Sequence, residues 1–234
     1  MPLFETQQQS LARQLFPKVV VESCLTELSP EQTRDEISKR EEAFVKALTQ
    51  PIPLAPGRAQ PQEEQVLRYE GRDFFQAFEK LNRGFLDRGW GDGFPVIPPT
   101  REALENMLSG SSRSRDEVVA VMEPGRGLAT VEKIAVNCVM AGCSPEHLPV
   151  VIAAVEAMAE PEFNLPLIAQ STGPHSPLLV LNGPIRQELG INCTGCALGP
   201  GAPSRVNTVI GRAVRLVMMN IGQTYPNKLD MDTI

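Results

Sequence analysis

The sequence predicts an α/β protein in which helices lie in layers on a small mixed sheet, preceded by an extended N-terminal helical arm. Three observations support this prediction. Short apolar runs alternate with amphipathic stretches that begin and end at helix-capping residues. Hydrophobic residues make up 42% of the 234 positions, which is enough for a sizeable core. A proline-rich segment separates the arm from that core.

The arm is predicted to contain one amphipathic helix over residues 31–48. Its apolar positions recur at helical spacing among charged residues, and Ser29 and Pro30 supply a cap and a first turn. The apolar positions are Ile37, Phe44, Val45 and Leu48.

Four prolines and no apolar period follow in residues 51–65, which is the composition of a semi-rigid linker. We therefore divide the chain into an arm with its linker, residues 1–64, and an α/β core domain, residues 65–234.

Four helices and three strands are predicted in the core. A helix over 65–87 has phenylalanines 74, 75, 78 and 85 on its expected buried side. The capping residues Thr130, Ser144 and Ser204 begin the other three helices, which end near Ala141, Met158 and Asn220. The strands are apolar runs beside turn residues, at 95–98, 117–122 and 178–181.

Charge and composition exclude some classes of partner. The net charge is -6 and no lysine or arginine block occurs, so a nucleic-acid partner is not expected. No apolar run approaches the roughly 18 residues that a membrane helix needs, and the first ten residues do not resemble a signal peptide. We therefore expect a cytoplasmic protein without a membrane partner. In a reducing compartment the five cysteines are expected to be ligands, nucleophiles or buried side chains rather than disulfides.

Two cysteine pairs are the strongest chemical signal. One is a CxxC in a glycine-rich bend just before the last helix, where backbone N–H groups and the helix dipole favour thiolate. Cysteines at such a bend and at a second helix end predict an iron-sulfur or zinc centre. The predicted metal ligands are Cys138, Cys143, Cys193 and Cys196. Alternatively, the CxxC cycles between dithiol and disulfide without a metal.

Some of these cysteines also have simpler interpretations. Cys138 falls near the centre of the apolar face of its helix, as a buried core thiol does. Cys143 follows the helix-ending Gly142, where a functional role as ligand or reactive thiol and an ordinary residue stay equal alternatives. Cys24 lies in an apolar run and is expected to pack.

The glycine- and proline-rich loop before the last helix is predicted to bind an anionic substrate, because a helix N-terminus offers free N–H groups and a favourable dipole. The predicted contacts are Gly199, Gly201, Ser204, Arg205 and Arg212. The two arginines lie about two helical turns apart. They either hold one carboxylate together or border the buried face as ordinary surface residues.

Three further side chains are candidates for proton transfer. His147 and His175 each either move a proton, bind metal or lie solvated in a loop. Asp92, between two glycines, is either a general acid or base or a turn residue. The complete predicted catalytic set is Cys193, Cys196, His147, His175 and Asp92.

Four segments resemble a poorly characterised bacterial family associated with UGSC-motif (seleno)proteins. They are residues 91–100, 129–143, 182–185 and 197–201. The resemblance covers about residues 70–222. It implies a thiol or selenol redox protein as partner, and it implies a longer chain than this one. We therefore expect a second subunit that supplies the missing C-terminal half.

Together these patterns predict a subunit of a heteromeric enzyme with a cysteine-rich metal centre. The expected chemistry is that of a lyase or hydratase acting on a small carboxylate-bearing substrate, with the metal as Lewis acid. A thiol-dependent oxidoreductase that uses the CxxC with a redox partner is one alternative. A non-catalytic scaffold subunit is the other.

Overall fold

A computed structural model describes residues 28–49, 67–171, 173, 175–199 and 201–226. The chain divides into two compact units, Met1–Leu67 and Arg68–Ile234, close to the boundary predicted at residue 65. The predicted linker and Cys24 lie outside the described residues.

Within residues 28–49, the described part of the first unit, the chain forms two helices where the sequence predicted one. Helix α1 spans Pro30–Ser38 and helix α2 spans Glu41–Thr49. Ser29 caps α1 as predicted, because its side chain accepts a hydrogen bond from the Gln32 N–H. Helix α1 ends where the N–H of Arg40 donates a hydrogen bond to the carbonyl of Ile37, which lies three residues earlier instead of the four of an α-helix. Neither helix has a buried residue.

The second unit has seven further α-helices and two strands among its described residues. In chain order they are α3 (Phe74–Asp87), α4 (Arg101–Leu108), β1 (Val118–Met122), β2 (Gly127–Thr130), α5 (Val131–Ala141), α6 (Leu148–Ala159), α7 (Leu165–Ile168), α8 (Ile185–Glu188) and α9 (Arg205–Asn220). Short 3₁₀ turns precede α6, α7 and α9. No helix among the described residues is long and apolar enough to cross a membrane.

The predicted fold class is confirmed: helices are layered on a small sheet. The core helix α5 packs against α9, α4 and α6, and α6 also covers β1. Helix α5 is buried on nearly all sides, with Ile134, Ala135 and Cys138 fully excluded from solvent. It therefore organises the core, and its C-terminal end is held rigidly by its neighbours.

The sheet is one antiparallel hairpin, in which Val121 lies opposite Leu128. The strands predicted at 95–98 and 178–181 are not formed. In the first of these segments the N–H of Val96 bonds to the Asn82 side chain and that of Ile97 to a carbonyl of α5, so helices take the place of a partner strand.

Helix boundaries agree with the sequence where caps are strong. Thr130 accepts a hydrogen bond from the Lys133 N–H, and α5 ends at Gly142, both as predicted. Two predictions were wrong. Helix α3 begins after the capping Asp73 rather than at residue 65, and Phe85 is its only buried phenylalanine. The Ser204 hydroxyl makes no capping bond to α9.

Candidate functional site

Two of the four described thiols meet at the end of α5. The N–H of Cys143 bonds to the Cys138 carbonyl at 3.0 Å, and the N–H of Gly142 bonds to the Val139 carbonyl at 3.0 Å. With Gly142 in the left-handed conformation (φ 89°), these bonds define a Schellman motif. The motif brings the side chains at its two ends, here both cysteines, into contact.

The surroundings of the Cys143 side chain favour its thiolate form. A hydrogen bond from the Cys138 thiol, followed by contact with the His147 ring and the positive charge of Arg205, lowers the pKa of Cys143 to about 6, although burial opposes the shift. In its thiol form the half-buried Cys143 side chain donates a hydrogen bond to the carbonyl of Val209 in α9 at 3.4 Å.

The Cys138 thiol has the opposite tendency. Its hydrogen bond to Cys143 and its complete burial raise the pKa of Cys138 well above the ordinary thiol value. The simpler interpretation of Cys138 as a core thiol describes its burial correctly. It leaves out the hydrogen bond with Cys143, which lowers the pKa of Cys143 and raises that of Cys138.

His147 is buried beside this pair with a defined tautomer. Its Nδ1 accepts a hydrogen bond from the Ser144 N–H at 3.0 Å, which leaves the ring proton on Nε2. A ring in this state has one N–H to donate, and it contacts Cys143. We therefore assign His147 a stabilising role at Cys143. Its predicted roles as proton carrier or metal ligand stay predictions.

The CxxC cysteines lie elsewhere, in the loop before α9. Both are exposed, and Cys196 adopts a left-handed backbone conformation (φ 59°). The Arg186 guanidinium donates a hydrogen bond to the Cys193 sulfur at 2.6 Å. Cys193 lines a cleft of about 1460 Å³. Cys196 is not among the described residues that line it.

Two asparagines hold this loop against α9, and sequence reasoning missed both. Asn207 in α9 donates to the carbonyls of Asn192 and Ala197 and accepts from the Asn192 N–H. The Asn192 side chain donates to the Gly195 carbonyl and to the Ser204 hydroxyl. An asparagine directly before a CxxC turn is a detectable signal, because asparagine side chains commonly bond to backbone groups of turns.

The predicted anion site is not supported by the local hydrogen bonds. The N–H groups of Gly199, Ser204 and Arg205 bond to carbonyls of Cys196, Gly201 and Ala202 inside the loop. The Ser204 hydroxyl is 1% exposed and donates to the Cys196 carbonyl at 2.6 Å. These three N–H groups are therefore not free to bind an anion, and the anion-binding role of the loop stays a prediction.

The two arginines predicted to hold one carboxylate have separate partners. Arg205 donates to the Gly142 carbonyl at 3.3 Å. Arg212 forms a bidentate pair with Asp92 at 2.6 and 2.9 Å and also donates to the carbonyls of Phe94 and Pro95. The structure thus gives Asp92 and Arg212 a joint structural role, which ties the loop before α4 to helix α9.

His175 is exposed, and its Nδ1 lies 3.1 Å from the Gly173 carbonyl. It lines a second, smaller cavity of about 210 Å³. Its predicted catalytic role stays a prediction.

The predicted metal ligands do not form one cluster. Among the described residues, no three Cys, His, Asp or Glu side chains converge in a way that holds a metal ion. Cys143 contacts Cys138 and His147, whereas Cys193 contacts Arg186 at the cleft. Binding of zinc or an iron-sulfur cluster, and the lyase or hydratase chemistry that depends on it, stay predictions.

Comparisons of the chain with family models, with curated proteins and with solved structures find no match. The resemblance to the UGSC-associated family also stays a prediction, as do the second subunit and the redox partner that it implies.

Proposed function

We propose that this protein is a thiol-dependent oxidoreductase in which Cys143 attacks and Cys138 resolves. The observation that carries the proposal is the contact of the two thiols at the C-terminal end of α5, with His147 and Arg205 beside Cys143. The sequence analysis gave the redox role to the CxxC as one alternative. In this proposal the Cys138–Cys143 pair takes that role instead. The support for it is local geometry, so it does not depend on any metal.

The reaction that fits this pair is thiol-disulfide exchange. The Cys143 thiolate attacks one sulfur of a substrate disulfide, the S–S bond breaks, and one substrate thiolate leaves. The Cys138 thiol then attacks the Cys143 sulfur and gives up its proton to the second substrate thiolate, which leaves as a thiol. The substrate disulfide has gained two electrons, and the protein holds a Cys138–Cys143 disulfide. A dithiol reductant regenerates the pair by the same exchange.

The properties of the two thiols match these roles. An attacking thiol is most effective when its pKa is near the ambient pH, and the pKa of Cys143 is about 6. Cys138 is fully buried, so an external disulfide reaches Cys143 first. The contact between the thiols places the resolving sulfur next to the mixed disulfide.

The experiment traps the intermediate with oxidised glutathione. In the unsubstituted protein we expect a Cys138–Cys143 disulfide and the loss of two titratable thiols. In Cys138→Ser, Cys143 is expected to attack but not to be resolved, so glutathione stays attached to Cys143. Cys143→Ser is expected to form neither product. Peptide mass spectrometry under anaerobic conditions distinguishes these species.

A Cys193→Ser, Cys196→Ser double variant is the matched control and is expected to retain the Cys138–Cys143 disulfide. A disulfide between Cys193 and Cys196 instead, or a pair that stays reduced in excess oxidised glutathione, contradicts the proposal. Elemental analysis of anaerobically purified protein separately tests the predicted metal.

A further inference from the structure

The proposed exchange reaction does not use the cleft of about 1460 Å³ beside α9. Its walls come from the loop at residues 91–95, the extended segment at 177–181, the CxxC loop and one face of α9. Cys143 is not among its lining residues, so the cleft is separate from the thiol pair. A concave site of this size is typical of ligand binding.

The charges that line the cleft favour an anion. They are three arginines, 186, 212 and 215, and one aspartate, Asp92. Asp92 is paired with Arg212, whereas Arg186 has no carboxylate partner among the described residues, so the cleft holds an uncompensated positive charge at Arg186 in a protein whose net charge is -6. A positive cleft with apolar walls concentrates negatively charged ligands.

The remaining lining is mostly apolar and open to solvent. Phe94, Leu178, Val180 and Leu198 are 70%, 71%, 75% and 85% exposed. Large apolar side chains that are this exposed around one cleft favour an occupant that removes them from water. The occupant therefore needs an apolar body as well as a negative charge.

Arg186 is positioned to bind the charged end of such a ligand. Among the described residues its guanidinium has one hydrogen-bond partner, the Cys193 sulfur at 2.6 Å, which fixes its direction in the cleft. A guanidinium has five N–H donors, and its planar fork matches a carboxylate. We propose that the cleft binds an amphipathic carboxylate, with its acid group at Arg186 and its apolar chain along Leu178 and Val180.

The test uses the full chain and three probes with the same alkyl chain: decanoate, decanol and decyltrimethylammonium. Calorimetric titration below micelle concentrations is expected to show decanoate as the tightest ligand, by about tenfold or about 1.4 kcal/mol, because only decanoate makes a hydrogen bond between two charged groups with Arg186. Arg186→Gln is expected to remove this preference and to leave decanol binding unchanged. Arg101→Gln, at an exposed arginine outside the cleft lining, is the matched control and is expected to bind decanoate normally.

A second readout locates the ligand. Decanoate is expected to slow alkylation of Cys193, which lines the cleft, and to leave Cys196 unaffected. Fragmentation of the peptide that contains both cysteines assigns the modified site. Equal binding of all three probes, no binding of decanoate, or equal protection of both cysteines overturns the proposal. The proposal is also overturned if the protein forms a dimer in which Cys193 is protected and which decanoate does not dissociate, because a second copy of the chain then occupies the cleft.

This binding does not depend on the proposed redox function. Cys143→Ser is expected to bind decanoate unchanged, so failure of either proposal is visible without the other.

Discussion

Cys143 acquires its low pKa from side chains more than from its position between two helices. The largest contribution is the hydrogen bond from Cys138, followed by the contact with His147 and the charge of Arg205. Burial acts in the other direction, because it disfavours the charged thiolate. The balance therefore depends on keeping a donor at position 138.

The first prediction follows from this balance. The rate of alkylation of Cys143 by iodoacetamide is expected to rise with pH through a midpoint at about 6, since only the thiolate reacts. Below that midpoint, the rate is expected to fall about tenfold per pH unit as the thiolate is protonated. Mass spectrometry of the Cys143 peptide over pH 4 to 9 provides the measurement.

Two substitutions at position 138 serve as the matched controls. Cys138→Ala removes the donor and is expected to move the midpoint toward the ordinary cysteine value, whereas Cys138→Ser keeps a donor and is expected to move it less. An unchanged midpoint in Cys138→Ala would show that Cys138 does not stabilise the thiolate.

This site was only partly predictable at the residue scale. The sequence identified Cys143 as a reactive candidate and Gly142 as the end of the helix. A glycine at that position also predicts that the residue directly after it meets the residue four positions before it, as Cys143 and Cys138 do. The contribution of Arg205 was not predictable, because it comes from a helix more than sixty residues later in the chain.

At the scale of elements, the end of α5 depends on one backbone conformation. Gly142 has φ 89°, and a Cβ built there would meet only ordinary contacts, at 3.8 Å from Ile97 and 3.9 Å from Val209. Gly142→Ala is therefore expected to lower the free energy of unfolding by about 1 kcal/mol through backbone strain alone. Denaturant unfolding measures this change.

Gly211→Ala is the matched control for that substitution. Gly211 lies inside α9, and a Cβ there meets nothing within 4 Å. The alanine is expected to raise the free energy of unfolding by about 0.5–1 kcal/mol, because alanine is the better helix former. Equal effects of the two substitutions would argue against strain at Gly142.

Elements with strong local signals were predicted well, and the others were not. Thr130, Gly142 and Ser29 set helix ends through bonds to residues three or four positions away, so the sequence contains both partners. The runs at 95–98 and 178–181 have strand-like composition. A strand needs a second strand to accept and donate its backbone hydrogen bonds. Beside these two segments, residues of helices or solvent lie where that second strand would be.

At the scale of the whole molecule, one ion pair connects distant parts of the second unit. Arg212 in α9 and Asp92 are 120 positions apart, and their side chains are 20% and 11% exposed. Arg212→Gln is expected to lower the free energy of unfolding by about 2 kcal/mol, because Asp92 stays partly buried without its charged partner. Arg101→Gln, at an exposed position, is the control and is expected to change it by less than about 0.5 kcal/mol. A similar effect of both substitutions would show that the pair contributes little.

The division of the chain leads to a further prediction. The cluster of buried apolar residues extends from Phe85 to Ile221 and belongs entirely to the second unit. A fragment that begins at Arg68 is therefore expected to unfold cooperatively at the same temperature as the full chain. Circular dichroism on heating tests this. A midpoint lower by more than about 4 °C, roughly 1 kcal/mol for a chain of this size, would show that the first unit stabilises the second.

The sequence by itself determined the α/β class and the helix ends at Ser29, Thr130 and Gly142. These follow from periodicity and from bonds between residues close in the chain. Only the tertiary structure decided that Cys143 belongs with Cys138 and His147 and that Arg212 binds Asp92. It also decided that Arg186 lies at Cys193 in a positive cleft. Such pairings depend on how the helices pack, and neither spacing nor composition contains that information.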